Sequence, residues 1–383
     1  MAIRFDRSWS DPDLDLYRDT VVRFIEEELA PGDEAARRDG HVGHAVWRRA
    51  GELGLLCADI PEDHGGGGGD FRHEAVVYEE MARRALTGMN TSVHAIVAHY
   101  ILNHGTQAQK QKYLPRMARG ELVGAIAMTE PGTGSDLQAI RTRAERTPGG
   151  GWRIDGSKTF ISNGYLAGLV LVACKTDPAQ RARGISILIV ETAQAPGFRV
   201  GRMLAKMGLK AQDTSELFFD GVQVPAENLL GGEEGQGFRQ LMSDLPYERL
   251  IIGVMALAAM EGAYEATLRY VREREVFGKP LAEQQNTRFK LAEIATQIAA
   301  GRAFIDQCVH RLMAGTLDTA TASMAKLWGS ETQGRVIDEC LQLFGGYGFM
   351  DEYPISRMYT DARVQRIYGG TSEIMKEVIA RAL

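Results

Sequence analysis

From about Asp11 to Gly120 the apolar positions recur at helical spacing. In DLYRDTVVRFIEEELAP the residues Leu16, Val21, Val22, Phe24 and Ile25 mark one such stripe, and Pro31 ends it. Further helical runs follow, interrupted by HGGGGGD at His64 to Asp70, which reads as a flexible loop. It lacks the GK[ST] ending of a phosphate loop, and no strand pattern precedes it. Between about Glu121 and Gln236 the period shortens to strand-like runs, GAIAMT, GWRIDG, KTFIS, LVLVAC, GISILIV, FRVG and SELFFDGVQVP, separated by turn residues. After Gly237 the helical period returns. Arg249 to Arg274 contains no proline, and Leu291, Ile294, Ile298, Ile305, Cys308 and Leu312 step by threes, fours and sevens.

The pattern predicts an α+β chain: helices over 1–121, a compact β-barrel or antiparallel sheet over 122–236, and a bundle of long helices over 237–383. No helix-length pattern alternates with the strands, so a parallel nicotinamide-binding fold is disfavoured. Composition adds limits rather than a function. The 383 residues are 44% hydrophobic and 25% charged, which suits packed domains and excludes wholesale disorder. A formal net charge of -6 gives no positive field for nucleic acid or anionic lipid. Cys57, Cys174, Cys308 and Cys340 lie far apart with no CxxC, which fits a reducing compartment better than a disulfide or zinc framework. The N-terminus carries early acidic residues and no leader-like apolar core, and no stretch reads as a membrane span. A bacterial cytoplasm is the simplest expectation.

Candidate chemistry is sparse. His94, His99 and His104 are five apart, about 140° on a helix, so they share no face for a metal, and no metal site is expected. HExxH and GxSxG are absent. The segment AMTEPGTGSD, Ala127 to Asp136, is a tight turn of glycines and hydroxyls able to bond a polar heterocycle or a phosphate, although alone it reads as an ordinary hairpin turn.

It is joined, in order, by GSKTFISNG at Gly156 to Gly164, REREVFGKP at Arg272 to Pro280, QLFGGYGF at Gln342 to Phe349 and IYGGTSEI at Ile367 to Ile374. These five motifs, with GTQAQKQKYLPRMARGE at Gly105 to Glu121, resemble those of the acyl-CoA dehydrogenases over essentially the whole chain. The resemblance implies an N-terminal helical domain, a middle β-barrel and a C-terminal four-helix bundle. It also implies FAD as cofactor, an acyl-CoA substrate, an electron-transferring flavoprotein as acceptor, and a homotetramer built as a dimer of dimers. Carried onto this sequence, Ile126, Met128, Thr129, Gly134 and Ser135 lie along the flavin, and Phe160, Ile161 and Ser162 face its ring. Arg274 and Phe277 hold the pyrophosphate and adenine side, usually of a neighbouring subunit's FAD, with Gln285, Gln342, Gly345 and Gly346. Thr371, Ser372 and Glu373 complete the cofactor set, and Ser135, Tyr247, Arg249, Gly369 and Gly370 are the substrate contacts.

One position departs from the common pattern. Short- and medium-chain members carry their catalytic glutamate immediately before the Gly-Thr of IYGGTSE, and here that position is Gly369. Either the activity is lost or the carboxylate comes from elsewhere. The isovaleryl and long-chain branches carry it on the long bundle helix, in a stretch similar to DLPYERLII, where Glu248 is the matching residue. A helix N-terminal acid is also common for purely local reasons. On the catalytic reading Glu248 removes the α-proton, and an apolar surround raises its pKa. Leu250, Ile251 and Ile252 are the candidates for that surround. The backbone N–H of Gly369 keeps its bond to the thioester oxygen. Loss of the side chain at 369 is expected to leave room for a bulkier or branched acyl group. The alternatives are a same-fold flavin enzyme with altered chemistry and a non-catalytic acyl-CoA-binding scaffold. The sequence leaves the acyl length, and oxygen as acceptor, open.

Overall fold

The computed structural model describes residues 5–383. Six helices come first: α1 (Pro12–Phe24), α2 (Asp33–Asp39), α3 (His44–Glu52), α4 (Phe71–Arg83), α5 (Thr91–His104) and α6 (Gln107–Ala118). Local chemistry sets their starts. Asp11 accepts the Leu14 N–H to cap α1, and Thr106 with Gln109 forms a capping box on α6. The buried stripe of α1 runs through Leu14, Val21 and Phe24, whereas Leu16 is 68% exposed. The glycine run expected to be flexible is a packed turn. The N–H groups of Gly67, Gly68 and Gly69 donate to the carbonyls of Cys57, Ile60 and Ala58 at 3.1, 2.9 and 2.9 Å. A Cβ at Gly66 would collide with the Ile60 carbonyl, so backbone lies directly on backbone and only glycine fits.

Seven strands follow: β1 (Gly124–Ala127), β2 (Arg143–Arg146), β3 (Trp152–Ser162), β4 (Leu169–Lys175), β5 (Ile185–Glu191), β6 (Phe198–Met203) and β7 (Thr214–Val224). The barrel expected from the sequence takes the form of one curled sheet in the order β1-β4-β2-β3-β7-β6, with β5 also on β4. Most pairs are antiparallel, but β1 runs parallel to β4, with Gly124 opposite Leu169. Every residue of β4 is buried, which explains why LVLVACK reads as a continuous apolar run rather than an alternating one.

The last third is α7 (Gly237–Ser243), α8 (Leu245–Glu273), a short hairpin of β8 (Glu275–Val276) and β9 (Lys279–Pro280), α9 (Gln285–Met313), α10 (Thr319–Phe344), α11 (Pro354–Ala362) and α12 (Ser372–Ala380). By length and composition alone the segment Gly237–Glu273 is apolar enough to cross a membrane, but 89% of its most apolar stretch is buried in the fold. It is a core helix. One apolar core joins both ends of the chain: Trp47, Val77 and Met81 share it with Leu257, Met260, Ile305 and Ile337. A second core packs α5 and α6 on the sheet through Tyr100, Ile101, Leu114, Leu171 and Ile187, and a third fills the sheet around Trp152 and Leu217.

A buried ionic network stitches the first core. Arg302 on α9 donates to Glu79 on α4 at 2.7 Å and to Glu261 on α8 at 2.6 Å. Arg7 also pairs with Glu79, and the Trp9 indole N–H donates to Asp306 at 2.9 Å. Burial alone raises a carboxyl, yet the Arg302 and Arg7 guanidiniums pull Glu79 well below its ordinary value. Replacing Arg302 by methionine takes a shared cation from three buried carboxylates, leaving Glu79 with Arg7, Glu261 with Arg83 and Asp306 with no cation, and should cost about 3 kcal/mol. Urea unfolding of the cofactor-loaded protein measures it, and a loss under about 1 kcal/mol would show that the network does not hold the layers together.

Candidate active site

Pro246 starts α8, so Glu248 falls in its first turn, and the helix packs that turn inward rather than leaving it in water. Glu248 is only 8% exposed. Its Oε1 accepts the hydroxyl of Tyr100 from α5 at 2.8 Å. Burial drives the Glu248 carboxyl up to about 7; the Tyr100 hydrogen bond and Arg249 oppose the rise, and the Asp244 charge adds to it. Asp244 is itself held by Asn103 at 3.0 Å and His104 at 3.2 Å. Burial therefore outweighs the helix N-terminus, which on its own favours the ionised form.

One turn further along α8, Ile252 meets the turn between α11 and α12. Gly369 and Gly370 both have left-handed backbones, φ 64° and 94°. A Cβ at position 369 would collide with Ile252 Cδ1. The Ile252 methyl thus lies where a Cβ at 369 would stand, while Leu250 and Ile251 point into the core. From α10, Lys326 Nζ donates to the Gly370 carbonyl at 2.5 Å. Arg249 is buried and donates to Ser323 on α10 at 2.9 Å, with its Nε lacking a partner among the described residues. Base, glycine turn and two buried cations therefore lie together.

The turn after β1 is held from beneath by a fully buried lysine. Lys158 on β3 donates to the Met128 carbonyl at 3.0 Å and to Glu130 at 2.9 Å, and Glu130 accepts the Thr142 N–H at 2.9 Å. This leaves Met128 and Thr129 half-buried and Gly134 and Ser135 exposed, while Ile126 is half-buried against the second core. A register shift between Lys158 and Ile161 re-aims the strand. Phe160 comes out 67% exposed with φ 59°, a strained conformation for a bulky residue. Ile161 turns into the sheet core, so only its backbone is available to a ligand. Ser162 Oγ accepts from Gln212 at 3.0 Å.

Arg274, Phe277, Gln285 and the 342–346 loop gather at the far end of α8. Phe277 and Gly278 form the two-residue turn of the β8–β9 hairpin, both with positive φ, and Phe277 is 98% exposed. The Arg274 guanidinium lies 5.7 Å from the Tyr347 ring centre and forms no ion pair among the described residues. Tyr270 bonds the Phe344 carbonyl at 3.1 Å, holding the loop of Gln342, Gly345 and Gly346 nearby. Gln285 opens α9 just beyond the hairpin. The 26 residues from Glu248 to Arg274 span about 39 Å of helix. Glu248 and the Arg274 group are thus at opposite ends of a rod within one chain, and the flavin-side residues form a separate set on the sheet. The chemistry of the two sets fits the expected FAD: an exposed aromatic face with hydroxyls and glycine amides on the sheet suits a polar heterocycle, and an unpaired guanidinium at Arg274 suits a diphosphate.

Several expected contacts are engaged elsewhere. The Tyr247 hydroxyl donates to Asp59 at 3.2 Å, and its ring lies against His99, so it supports the base from within the helical layer. Ser372 is buried and donates to Glu331 at 2.6 Å, whereas Thr371 caps α12 and Glu373 is exposed. The three histidines separate as expected: His94 beside Cys57 and Trp47, His99 on Asp59 and His104 on Asp244. No metal-binding cluster occurs among the described residues. Of the three apolar candidates beside Glu248, Ile252 is the one that faces the glycine turn, whereas Tyr100 and Lys326 were not expected. Each sits in an apolar helical pattern, and only the fold brings it to the base or the glycine turn.

Comparison with known proteins gives one consistent answer. Residues 11–121, 125–222 and 235–383 match the acyl-CoA dehydrogenase N-terminal, middle and C-terminal domain families. The chain is 50% identical over 372 residues to a mitochondrial long-chain specific acyl-CoA dehydrogenase of Mus musculus, covering 96% of this chain and 86% of that one. Among solved structures, acyl-CoA dehydrogenase from Geobacillus kaustophilus superposes with a TM-score of 0.94 at 44% identity, covering 98% and 99% of the two chains. A structure described as the electron transferring flavoprotein of Acidaminococcus fermentans superposes with a TM-score of 0.92 at 35% identity, covering 99% of each.

The Glu248 carboxyl should titrate near 7, and Tyr100→Phe, which removes a bond to the ionised form, should move that midpoint to higher pH. Its folded value lies above the ordinary 4.5, so it favours folding below about 4.5 and loses that contribution as pH rises to 7. Difference infrared titration of wild type against Glu248→Gln reads both midpoints; a carboxyl that titrates near 4.5 would refute the burial argument.

Proposed function

The chain belongs to the acyl-CoA dehydrogenase family, and from that premise we propose that Glu248 is the base with which it dehydrogenates saturated acyl-CoA thioesters to trans-2-enoyl-CoA. The observation that carries this reading is a buried carboxyl with a pKa of about 7, on a helix whose next turn touches the glycine turn at 369. A base poised near the working pH combines enough ionised form with enough proton affinity. The non-catalytic alternative rested on the absent carboxylate at position 369, and a carboxyl at 248 removes that support.

In the proposed chemistry Glu248 takes the α-proton, and the Gly369 N–H donates to the thioester oxygen as negative charge develops there. Ile252 and the Tyr100 ring exclude water from the carboxylate. Bound FAD supplies a hydride acceptor for the β-carbon. Met128, Thr129, Ser135, Phe160 and Ser162 are the residues proposed to hold its ring, and Arg274, Phe277, Gln285 and the 342–346 loop its diphosphate and adenine.

Because the proposed base Glu248 and Arg274 stand about 39 Å apart along α8, one FAD is proposed to bridge two chains. A dimer is the least assembly that completes a site, and a homotetramer of two such dimers is the proposed form. Exposed Phe277, Phe289 and Phe349 supply apolar surface for that contact. Electron-transferring flavoprotein is the proposed acceptor, supported by the motif resemblance and by the Acidaminococcus match. A reducing cytoplasm is the proposed compartment, supported by four buried free cysteines.

Anaerobic mixing with short, medium, long and branched acyl-CoAs should bleach the flavin. Glu248→Gln should slow bleaching by at least about 100-fold while leaving ligand binding intact. Bleaching at the wild-type rate by that variant would remove Glu248 from the mechanism. Subunit sharing has its own test. Glu248→Gln and Arg274→Ala chains, each inactive alone, should regain about one quarter of wild-type activity when mixed and reassembled, because a hybrid dimer contains one intact site. No recovery on mixing would mean that Arg274 serves the site of its own chain.

A further inference from the structure

We propose that Lys326 is a positioning residue for the thioester-binding turn: from α10 it clamps the Gly370 carbonyl, anchoring one end of the two-glycine turn and so narrowing the directions open to the Gly369 N–H. The inference rests on the reading of Gly369 as the oxyanion donor and deepens it.

Two consecutive glycines are a poor way to aim a hydrogen bond. Each has a wide range of backbone conformations, and neither has a side chain to lock it. Gly369 and Gly370 nevertheless both adopt left-handed φ, 64° and 94°. Contacts limit the turn on two sides. Ile252 occupies the position a Cβ at 369 would take, and a Cβ at 370 would come within 2.6 Å of Met375 Cε. These contacts exclude conformations but do not select the orientation of a peptide plane. The hydrogen bond from Lys326 Nζ to the Gly370 carbonyl, 2.5 Å, does so for the peptide that follows the tandem glycines.

Lys326 is an expensive group to use for this. Its side chain is 0% exposed, and it forms no ion pair among the described residues. Lysine is rarely buried completely unless a carboxylate pairs with it. Glu331, on the same helix, is bonded instead to Arg366 and Ser372. The site is reached because α10 and α8 pack through small residues. A Cβ at Gly329 would lie 3.2 Å from the Ala256 Cβ and 3.3 Å from the Gly253 Cα, which walls Lys326 in beside Arg249. Burial and the Arg249 charge lower the ammonium to about 8. An unpaired buried cation behind a turn that carries negative charge only during reaction is explained by that reaction rather than by packing.

The test uses the FAD-loaded oligomer and a 3-oxoacyl-CoA. Its α-carbon lies between two carbonyls, so it loses a proton to give an enolate without transferring hydride, and the enolate against oxidised flavin absorbs at long wavelength. Lys326→Met should bind this ligand with an unchanged dissociation constant but form about tenfold less enolate at a given pH, a rise of about one unit in the midpoint. Lys326→Arg, which keeps charge and donor, should restore most of it. Hydrogen exchange across 367–374 should quicken in Lys326→Met alone. Lys326→Gln serves the same comparison should Lys326→Met not assemble. Wild-type ionisation in Lys326→Met, or a loss that Lys326→Arg does not reverse, overturns the assignment. A wild-type protein that binds the ligand and forms no enolate overturns the reading of Gly369 itself, and this inference with it.

Discussion

A single helix of 29 residues sets the dimensions of everything the protein does. Glu248 stands at the start of α8 and Arg274 just beyond its end, so the proposed base and the group that suits a diphosphate are fixed about 39 Å apart. A helix packed over most of its length does not bend to bring them together. On the proposed reading the chain carries two half-sites, and association of chains is then a requirement of catalysis rather than an accessory to it. The hairpin Phe277–Gly278 and the loop at Gly345 and Gly346 are proposed to belong to that second half, and the openness of their side chains and backbone in one chain fits that assignment.

The same helix explains the base. Burying a carboxylate costs several kcal/mol unless partners remain, and a carboxyl buried without any partner would stay neutral at physiological pH. Glu248 is left with one hydroxyl from Tyr100 and the Arg249 charge beside it, opposed by Asp244. That balance holds it near neutrality. Arg302, by contrast, has three carboxylates around it and serves cohesion of the helical layers. Full pairing gives stability and partial pairing gives chemistry; the two networks differ in the number of partners, not in depth.

Much of this was legible in the residues. The change from helical to strand-like period near Glu121 and back near Gly237 locates the sheet between two sets of helices, because side-chain period follows directly from backbone geometry. The motif order, and the glycine at 369, pointed to the acid at 248 before any coordinates. What could not be read depends on contacts between segments far apart in sequence. Tyr100 sits in an apolar helix run and lies 148 positions from Glu248; nothing local marks it. The glycine run at 65–69 reads as flexible because composition does not reveal that the backbone of 57–60 lies against it. Ile161 and Ser372 fall inside the right motifs, yet a strand bulge and a neighbouring glutamate take their side chains away from the ligand.

The exchange of a base at position 369 for one at 248 is best understood as a packing event. A glutamate at 369 needs a Cβ where Ile252 Cδ1 lies, so it requires the Ile252 methyl to move aside as well as a side chain on a left-handed backbone. With Ile252 in that place, the turn loses a side chain that could orient it and must be aimed from outside, through the Gly370 carbonyl and Lys326. On the proposed reading, an acid on α8 puts proton abstraction on a rigid helix and leaves the turn with one task, donating its N–H. Division of the two roles between two elements permits each to be held by its own packing. A single glutamate on a glycine turn has to satisfy both with one backbone conformation.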